Sequence, residues 1–178
     1  MKPTKKIEKT AVYTDKLKRI LKKDDLADFD SNEILNAAYD KLDEAEYDAA
    51  RDLFLISIKM DGYSADALNG LAIALCEKGE TCNAMTVIKR AVELYPDDAV
   101  TLANTGTIFA EAVGYYEKSL DADPGSPETY LGLIDLYMMF GNCAMAFLTC
   151  RRAAELLPDD EDINETMKQV LLEMAVSL

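Results

Sequence analysis

Apolar residues recur every three to four positions through most of the chain, and polar residues fill the positions between them. This spacing places the apolar side chains on one face of an α-helix. Leu68, Leu71, Ala72 and Leu75 form one such stripe. Glycines and prolines interrupt the pattern at intervals, so the sequence predicts an all-α chain built from successive short helices.

The same arrangement of small and large residues returns in four segments. Each segment has an alanine, a larger residue four positions later and a small residue three positions beyond that. The alanines are Ala50, Ala84, Ala112 and Ala146, and the segments end at Gly62, Pro96, Pro124 and Pro158. These ends lie 34, 28 and 34 residues apart. A period of this length predicts a stack of helix pairs.

Turn residues mark where the helices end. Gly79 and Gly141 separate the two helices of a pair, and Pro-Asp-Asp at 96–98 and 158–160 separates neighbouring units. Proline cannot continue a helix, and the aspartates that follow it cap the next one. The sequence therefore predicts a basic arm at 1–28, an array at 29–160 with units at about 29–62, 63–96, 97–124 and 125–158, and a C-terminal capping helix at 161–178.

This pattern resembles the tetratricopeptide repeat (TPR), a helix-turn-helix unit of about 34 residues. The resemblance covers residues 29–158 and is strongest in 65–98 and 127–160. It implies a right-handed superhelical array, or α-solenoid, of antiparallel helix pairs, with about four units and a flanking helix at each end. In the first unit we expect a turn between Leu42 and Tyr47 that is about two residues longer than the family's.

The third unit is six residues shorter than its neighbours. Leu102 and Phe109 belong to its first helix and Ala112 to its second, so only Ala110 and Glu111 remain for a turn. Either the two helices fuse into one, or a loop is missing from the sequence. Fusion would stop the pair from folding back on itself, so the missing loop is the favoured explanation.

Composition limits the chemistry. The chain has no histidine, which excludes Ser-His-Asp and Cys-His catalysis and any histidine metal ligand. The sequence has no glycine-rich phosphate loop, and its acidic clusters lack the ligand order of a calcium loop. We therefore expect no catalytic residue, no metal and no cofactor. Reduced thiols acting as small core residues are expected at Cys76, Cys82, Cys143 and Cys150.

Charge divides the chain into two parts. Residues 1–23 carry a net charge of +7, and the remaining residues carry −21. The acidic body should repel nucleic acid and anionic membranes. The basic arm has three possible roles: an N-terminal capping helix, a segment that folds across the acidic groove and gives an autoinhibited or domain-swapped homodimer, or a site for an anionic partner. Because no apolar run has the length of a signal peptide or a membrane span, a cytoplasmic location is expected.

The family resemblance implies that the first helix of each pair lines a concave surface, which binds a peptide or helix of another protein. On this chain that surface corresponds to Glu33, Asp40, Asp66, Asn69, Ile73, Cys76, Ala103, Asn104, Thr107, Leu131, Asp135 and Met138. These residues include no Lys or Arg to hold a C-terminal carboxylate, so a basic or amphipathic partner is expected. The predicted function is a protein-interaction adaptor or scaffold, and the alternative is a holding chaperone for secreted or assembly-prone subunits.

Overall fold

The computed structural model of the chain describes residues 14–21 and 30–176. Every regular element within these residues is an α-helix, which confirms the predicted all-α class. The helices are α1 (Thr14–Leu21), α2 (Ser31–Asp43), α3 (Tyr47–Asp61), α4 (Ala65–Glu77), α5 (Thr81–Leu94), α6 (Ala99–Ala122), α7 (Pro127–Met139), α8 (Cys143–Leu156) and α9 (Glu161–Val176).

Six of these helices form three pairs with a shared geometry: α2 packs against α3, α4 against α5, and α7 against α8. The first helix of each pair has 13 residues, and the second has 14 or 15. The starts of α2 and α4, at Ser31 and Ala65, are 34 residues apart. The predicted helix pairs are therefore confirmed for these three units.

Side chains at the helix starts explain why each first helix begins where it does. Asp30 and Glu33 form a capping box, in which each carboxylate accepts a hydrogen bond from the backbone N–H of the other residue. Ser64 and Ser126 each accept a hydrogen bond from the N–H three residues ahead, at 3.1 and 3.2 Å. These bonds satisfy N–H groups that the first turn of a helix leaves free.

Each pair reverses direction in a turn of three residues. The central residue has a left-handed backbone at Ala45, Gly79 and Gly141, with φ of 57°, 78° and 69°. The longer turn expected between Leu42 and Tyr47 is wrong, because the first unit has the same turn length as the others. Its turn is hard to locate in the sequence because an alanine occupies the position where the other units have glycine.

Small residues let the helices approach closely. Ala50, Ala84 and Ala146, the equivalent alanines of the three second helices, are fully buried. Two first helices add a glycine, each beneath an aromatic ring: Phe54 lies over Gly70, and Tyr116 lies over Gly132. A Cβ at either glycine would overlap the ring.

The third unit differs from the others. α6 is one continuous helix of 24 residues, so its two predicted helices are fused and the favoured expectation of a missing loop is wrong. Ala110 and Glu111 supply neither a proline nor a left-handed glycine, and nothing there ends the helix. The chain divides into two compact units at this helix, one ending at Ile108 and the other beginning at Phe109.

The last helix, α9, packs against α8 of the second compact unit. It buries Ile163 and Val170. Asn164 and Lys168 stand where α7 has the buried Tyr130 and Ile134, so polar groups face solvent at positions that are core elsewhere. This arrangement suits a helix that ends a repeat array.

None of the four cysteines, all within the described residues, forms a disulfide, and their environments differ. Cys76 and Cys150 are buried, as expected of small core residues, and burial raises the pKa of the Cys150 thiol to about 11. The expectation is wrong for Cys82, which is exposed, and for Cys143, which is partly exposed. Both lie in the first turn of a second helix, where the chain has just left the turn and little packs over it.

The turns generate a paired prediction. Replacing Gly79 with Ala forces a Cβ into the left-handed region and should lower the free energy of unfolding by about 1 kcal/mol. Replacing Ala45 with Gly relieves the same strain and should change stability in the opposite direction. Urea unfolding of both variants beside the parent chain measures the two effects. Equal effects of the two substitutions would contradict the conformational explanation.

Candidate functional site

In the first compact unit, the predicted surface on α4 includes an exposed carboxylate and a partly exposed apolar side chain. Asp66 is exposed in the first turn of α4, where a negative charge complements the positive end of the helix dipole. Ile73, two turns further along the same helix, is partly exposed. On the first half of α6, Ala103 and Thr107 are exposed and Asn104 is partly exposed, which gives this helix a small and uncharged surface.

In the second compact unit, three predicted residues share one face of α7. Leu131, Asp135 and Met138 follow the i, i+4, i+7 spacing, with Asp135 exposed and its two apolar neighbours partly exposed. Pro127 occupies the first position of this helix, where a missing N–H costs nothing. The second compact unit therefore also presents a carboxylate between apolar side chains.

Neither carboxylate has a neutralising partner among residues 14–21 and 30–176. In the described part of the chain, no ion pair involves Asp66 or Asp135. By contrast, Asp48 is paired with Lys78 and Arg51, and the hydrogen bond from Lys78 lowers the pKa of Asp48. The charges of Asp66 and Asp135 are thus not neutralised by any described side chain.

Two residues predicted for the surface are instead buried. Asn69 is 2% exposed, and its Nδ2 donates a hydrogen bond of 2.9 Å to Thr101 Oγ1 on α6. Asp98 caps α6 at this point by accepting from the N–H of Thr101, and this bond lowers the pKa of Asp98. Cys76 is 7% exposed. Asn69 is covered because the start of α6 approaches α4 closely. The periodicity of α4 alone does not reveal this contact.

Glu33 and Asp40, also predicted for the surface, lie on a different face of their helix from Asp66 and Ile73. Because α2 and α4 begin 34 residues apart, Asn32 and Tyr39 are the residues equivalent to Asp66 and Ile73. Glu33 and Asp40 are each one position removed and line a pocket of about 360 Å³ on the side of α1. The pocket is bounded by Leu21, Glu33, Asn36, Ala37, Asp40, Lys41 and Glu44.

Tyr39, which the sequence analysis did not single out, lies at the position equivalent to Ile73. Its hydroxyl donates a hydrogen bond of 2.8 Å to the backbone carbonyl of Asp66, and its ring packs edge-on against Phe54 at 5.0 Å between centroids. Tyr39 therefore fixes the start of α4 relative to α2. A 34-residue offset counted from the capping residue Asp30 to Ser64 would have identified it.

The described part of the basic arm packs on the first compact unit. Leu17 is fully buried, and Lys16 Nζ lies 2.8 Å from Asp52 Oδ2 of α3. Lys18 and Arg19 are exposed. This arrangement agrees with the capping role for α1. The other predicted arm residues, 1–13 and 22–28, lie outside the described residues.

Comparison with known proteins supports the family resemblance. Residues 35–99 match the tetratricopeptide repeat family. The resemblance noted from the sequence is thereby confirmed, and the chain contains tetratricopeptide repeats. This repeat generally serves as a non-catalytic module for protein interaction. No curated protein sequence matches the chain.

Several solved structures are similar to the chain. One is the thermophilic TPR protein TTC0263 of Thermus thermophilus, with 19% identity, a TM-score of 0.45 and coverage of 94% of this chain and 95% of that one. A second is MamA, residues 41 to the end, from Desulfovibrio magneticus RS-1, with 16% identity, a TM-score of 0.44 and coverage of 82% and 91%. A third is the MamA D159K mutant, with 16% identity, a TM-score of 0.40 and coverage of 82% and 88%.

Hydropathy adds one observation. Among the helices of the described residues, none combines the length and apolar character required to cross a bilayer.

The Tyr39 hydrogen bond generates a pH-dependent prediction. Burial, and after it the charge of Asp66, raises the pKa of Tyr39 from 10.0 to about 12. The folded chain therefore holds this proton more tightly than the unfolded chain, so its stabilising contribution is complete below pH 10 and is lost as the pH rises toward 12. Tyr39→Phe should cost about 0.5–1.5 kcal/mol at neutral pH.

Urea unfolding of the parent chain and the Tyr39→Phe variant between neutral pH and pH 12 measures this effect. The stability difference between the two proteins should shrink above pH 10. Tyr63→Phe, a change in an exposed side chain, is the control. A difference that is independent of pH would show that Tyr39 has no raised pKa.

Proposed function

We propose that the protein is a non-catalytic adaptor that holds a basic or amphipathic segment of another protein against its first-helix surfaces. The observation that carries this proposal is the pair of exposed, unpaired carboxylates, Asp66 on α4 and Asp135 on α7. Asp135 lies between the partly exposed Leu131 and Met138, and Asp66 shares a face of α4 with the partly exposed Ile73, two turns away. A segment with cationic and apolar residues on one face matches both features.

The shared chemistry of the two surfaces supports the same kind of ligand. Leu131 and Met138 flank Asp135, and methionine adapts its shape to different apolar partners. The net charge of −14 adds a long-range attraction for cationic segments, which raises the rate of encounter. None of the exposed predicted residues is basic, so capture of a C-terminal carboxylate is disfavoured.

A holding chaperone is the second proposed function, and one observation favours it. Met145, Leu148 and Leu156, each between 39% and 53% exposed, lie on one side of α8, with the charged Arg152 between the two leucines. Such side chains offer a surface to an incompletely folded client. Suppression of client aggregation that disappears in Leu148→Glu would favour this function over the adaptor.

Charge reversal tests the adaptor proposal. The probe is an amphipathic helical peptide of lysine and leucine, about four turns long, compared with the same peptide carrying glutamate in place of lysine. The lysine peptide should bind, and the double variant Asp66→Lys/Asp135→Lys should weaken its affinity by about tenfold or more. Binding should also weaken as salt screens the carboxylates. Isothermal titration calorimetry measures each affinity.

The matched control reverses two other exposed acids, Asp97→Lys and Asp159→Lys, and makes the same change in net charge. It should retain most of the affinity. Equal binding of the lysine and glutamate peptides, or equal losses in both double variants, would show that these carboxylates do not form the site. The single variants then report whether each compact unit binds by itself.

A further inference from the structure

The fused helix α6 exposes a residue that is core in every complete unit. Leu102 is 48% exposed, whereas the equivalent Ile34, Leu68 and Tyr130 are 0%, 3% and 0% exposed. In complete units a second helix folds back against the first. In the third unit that second helix runs straight on, so the first half of α6 has no helix folded back against it.

The second half of α6 shows the matching exposure. Ser119 is exposed, whereas the equivalent Ser57, Ala91 and Ala153 of the other second helices are buried. Tyr116 is partly exposed, although its equivalents are fully buried: Phe54, Ile88 and Cys150. Leu102, Tyr116 and Ser119 are therefore less covered than their equivalents in complete units. At the centre of α6, Ala112 is buried, and Phe109 packs against the rings of Tyr137 and Phe140.

These inner positions form a single stripe on the continuous helix. They are separated alternately by three and four residues: Leu102, Thr105, Phe109, Ala112, Tyr116 and Ser119. Alternation of three and four is the heptad spacing that keeps residues on one side of a helix and forms the seam of a coiled coil. Fusion of the two helices has thus placed both inner faces on the same side of α6.

Gly106, beside this stripe, marks where a helix would fit. It is equivalent to the buried Ala38 and Ala72 of the first helices of complete units. A Cβ added to Gly106 meets no atom within 4 Å, which is open space. Open space at an equivalent core position indicates that a packing element is missing there.

We propose that two copies of the chain pair antiparallel through α6, so that each copy completes the third unit of the other. The first half of α6 from one copy serves as the first helix, and the second half from its partner serves as the second helix. This exchange of an identical element between copies is a domain swap. Removing the turn from a helix pair is a change that favours it, because the intramolecular pair can no longer close.

The sequence positions agree with this pairing. A two-fold axis between Ala110 and Glu111 brings three pairs level across the two copies: Leu102 with Ser119, Thr105 with Tyr116, and Phe109 with Ala112. The complete unit of α4 and α5 has the same register, because the equivalent pairs lie level about its turn: Leu68 with Ala91, Leu71 with Ile88, and Leu75 with Ala84. Two copies can therefore reproduce the packing of a complete unit without a shift along the helix.

Charge does not oppose the pairing. α6 has 24 residues but only four charged ones, Glu111, Glu117, Lys118 and Asp121, and none of them belongs to the stripe. Glu117 is already paired with Arg152 of α8 at 3.1 Å. The contact between two copies of this helix therefore brings few like charges together. The proposal uses none of the carboxylates assigned to partner binding and stands apart from that function.

Sedimentation equilibrium of the full chain tests the proposal. The parent chain should be a dimer, and Gly106→Leu should be a monomer because its side chain fills the space that the partner's helix needs. Leucine favours helix over glycine, and the position is open in the single chain, so the variant should fold.

Gly114→Leu is the matched control. Gly114 is also open, but it lies on the side of α6 away from the stripe, where the equivalent Thr86 and Leu148 of other second helices are exposed. This variant should remain a dimer. A parent chain that is monomeric at all concentrations would overturn the proposal.

An insertion gives a second, independent test. A copy of residues 77–82, with serine for the cysteine, placed between Ala110 and Glu111 restores the missing turn. This variant should be a monomer with a complete third unit. The same insert placed between Pro124 and Gly125 should remain a dimer, and a dimer in both cases would refute the swap.

Cysteine crosslinking checks the register. Leu102→Cys and Ser119→Cys are introduced together, with Cys82 and Cys143 changed to serine. The two new thiols are about 25 Å apart along one helix, so only two copies can join them. Oxidation should give a covalent dimer, whereas Val100→Cys with Ser119→Cys should not.

A dimer that survives Gly106→Leu but is lost when residues 1–28 are removed would assign the contact to the basic arm and refute the proposal.

Discussion

Folding of each helix pair depends on one backbone conformation, a left-handed residue at the centre of a three-residue turn. Ala45, Gly79 and Gly141 supply it, and wherever it occurs the second helix returns along the first. The buried alanines and the positions of the caps follow from that reversal. At Ala110 and Glu111 the sequence lacks this turn. The helix continues there, and the third unit does not form a helix pair within one chain.

Helix periodicity and repeat spacing were enough to predict the complete pairs and their buried small residues. They also located the two exposed carboxylates, because Asp66 and Asp135 lie in units whose register is marked by glycine and proline. The first unit was harder, since Ala45 hides its turn and Glu33 and Asp40 were placed on the wrong face of α2. Asn69 was misplaced for another reason: its burial depends on how closely α6 approaches, and that distance comes from tertiary packing.

Hydrogen bonds and ion pairs distinguish carboxylates that look alike in the sequence. Carboxylates are abundant, but many are already used: Asp30 and Asp98 cap helices, and Asp48 and Asp52 form ion pairs with basic side chains. Removing these leaves fewer acids with free charge, and only some of them lie beside apolar side chains. The distinction between a structural and an available carboxylate therefore comes from hydrogen-bond geometry, which composition cannot supply.

The rings that cover Gly70 and Gly132 also fix the order of the repeats. Phe54 and Tyr116 each belong to the unit that precedes the glycine they cover, whereas the equivalent residue of the second unit is Ile88, and the residue equivalent to the glycines in the third unit is Asn104. A duplicated or transposed unit would set a ring against asparagine or leave a glycine uncovered. The chain is modular in appearance, yet its modules cannot be shuffled, so lengthening such an array requires matched changes on both sides of every new junction.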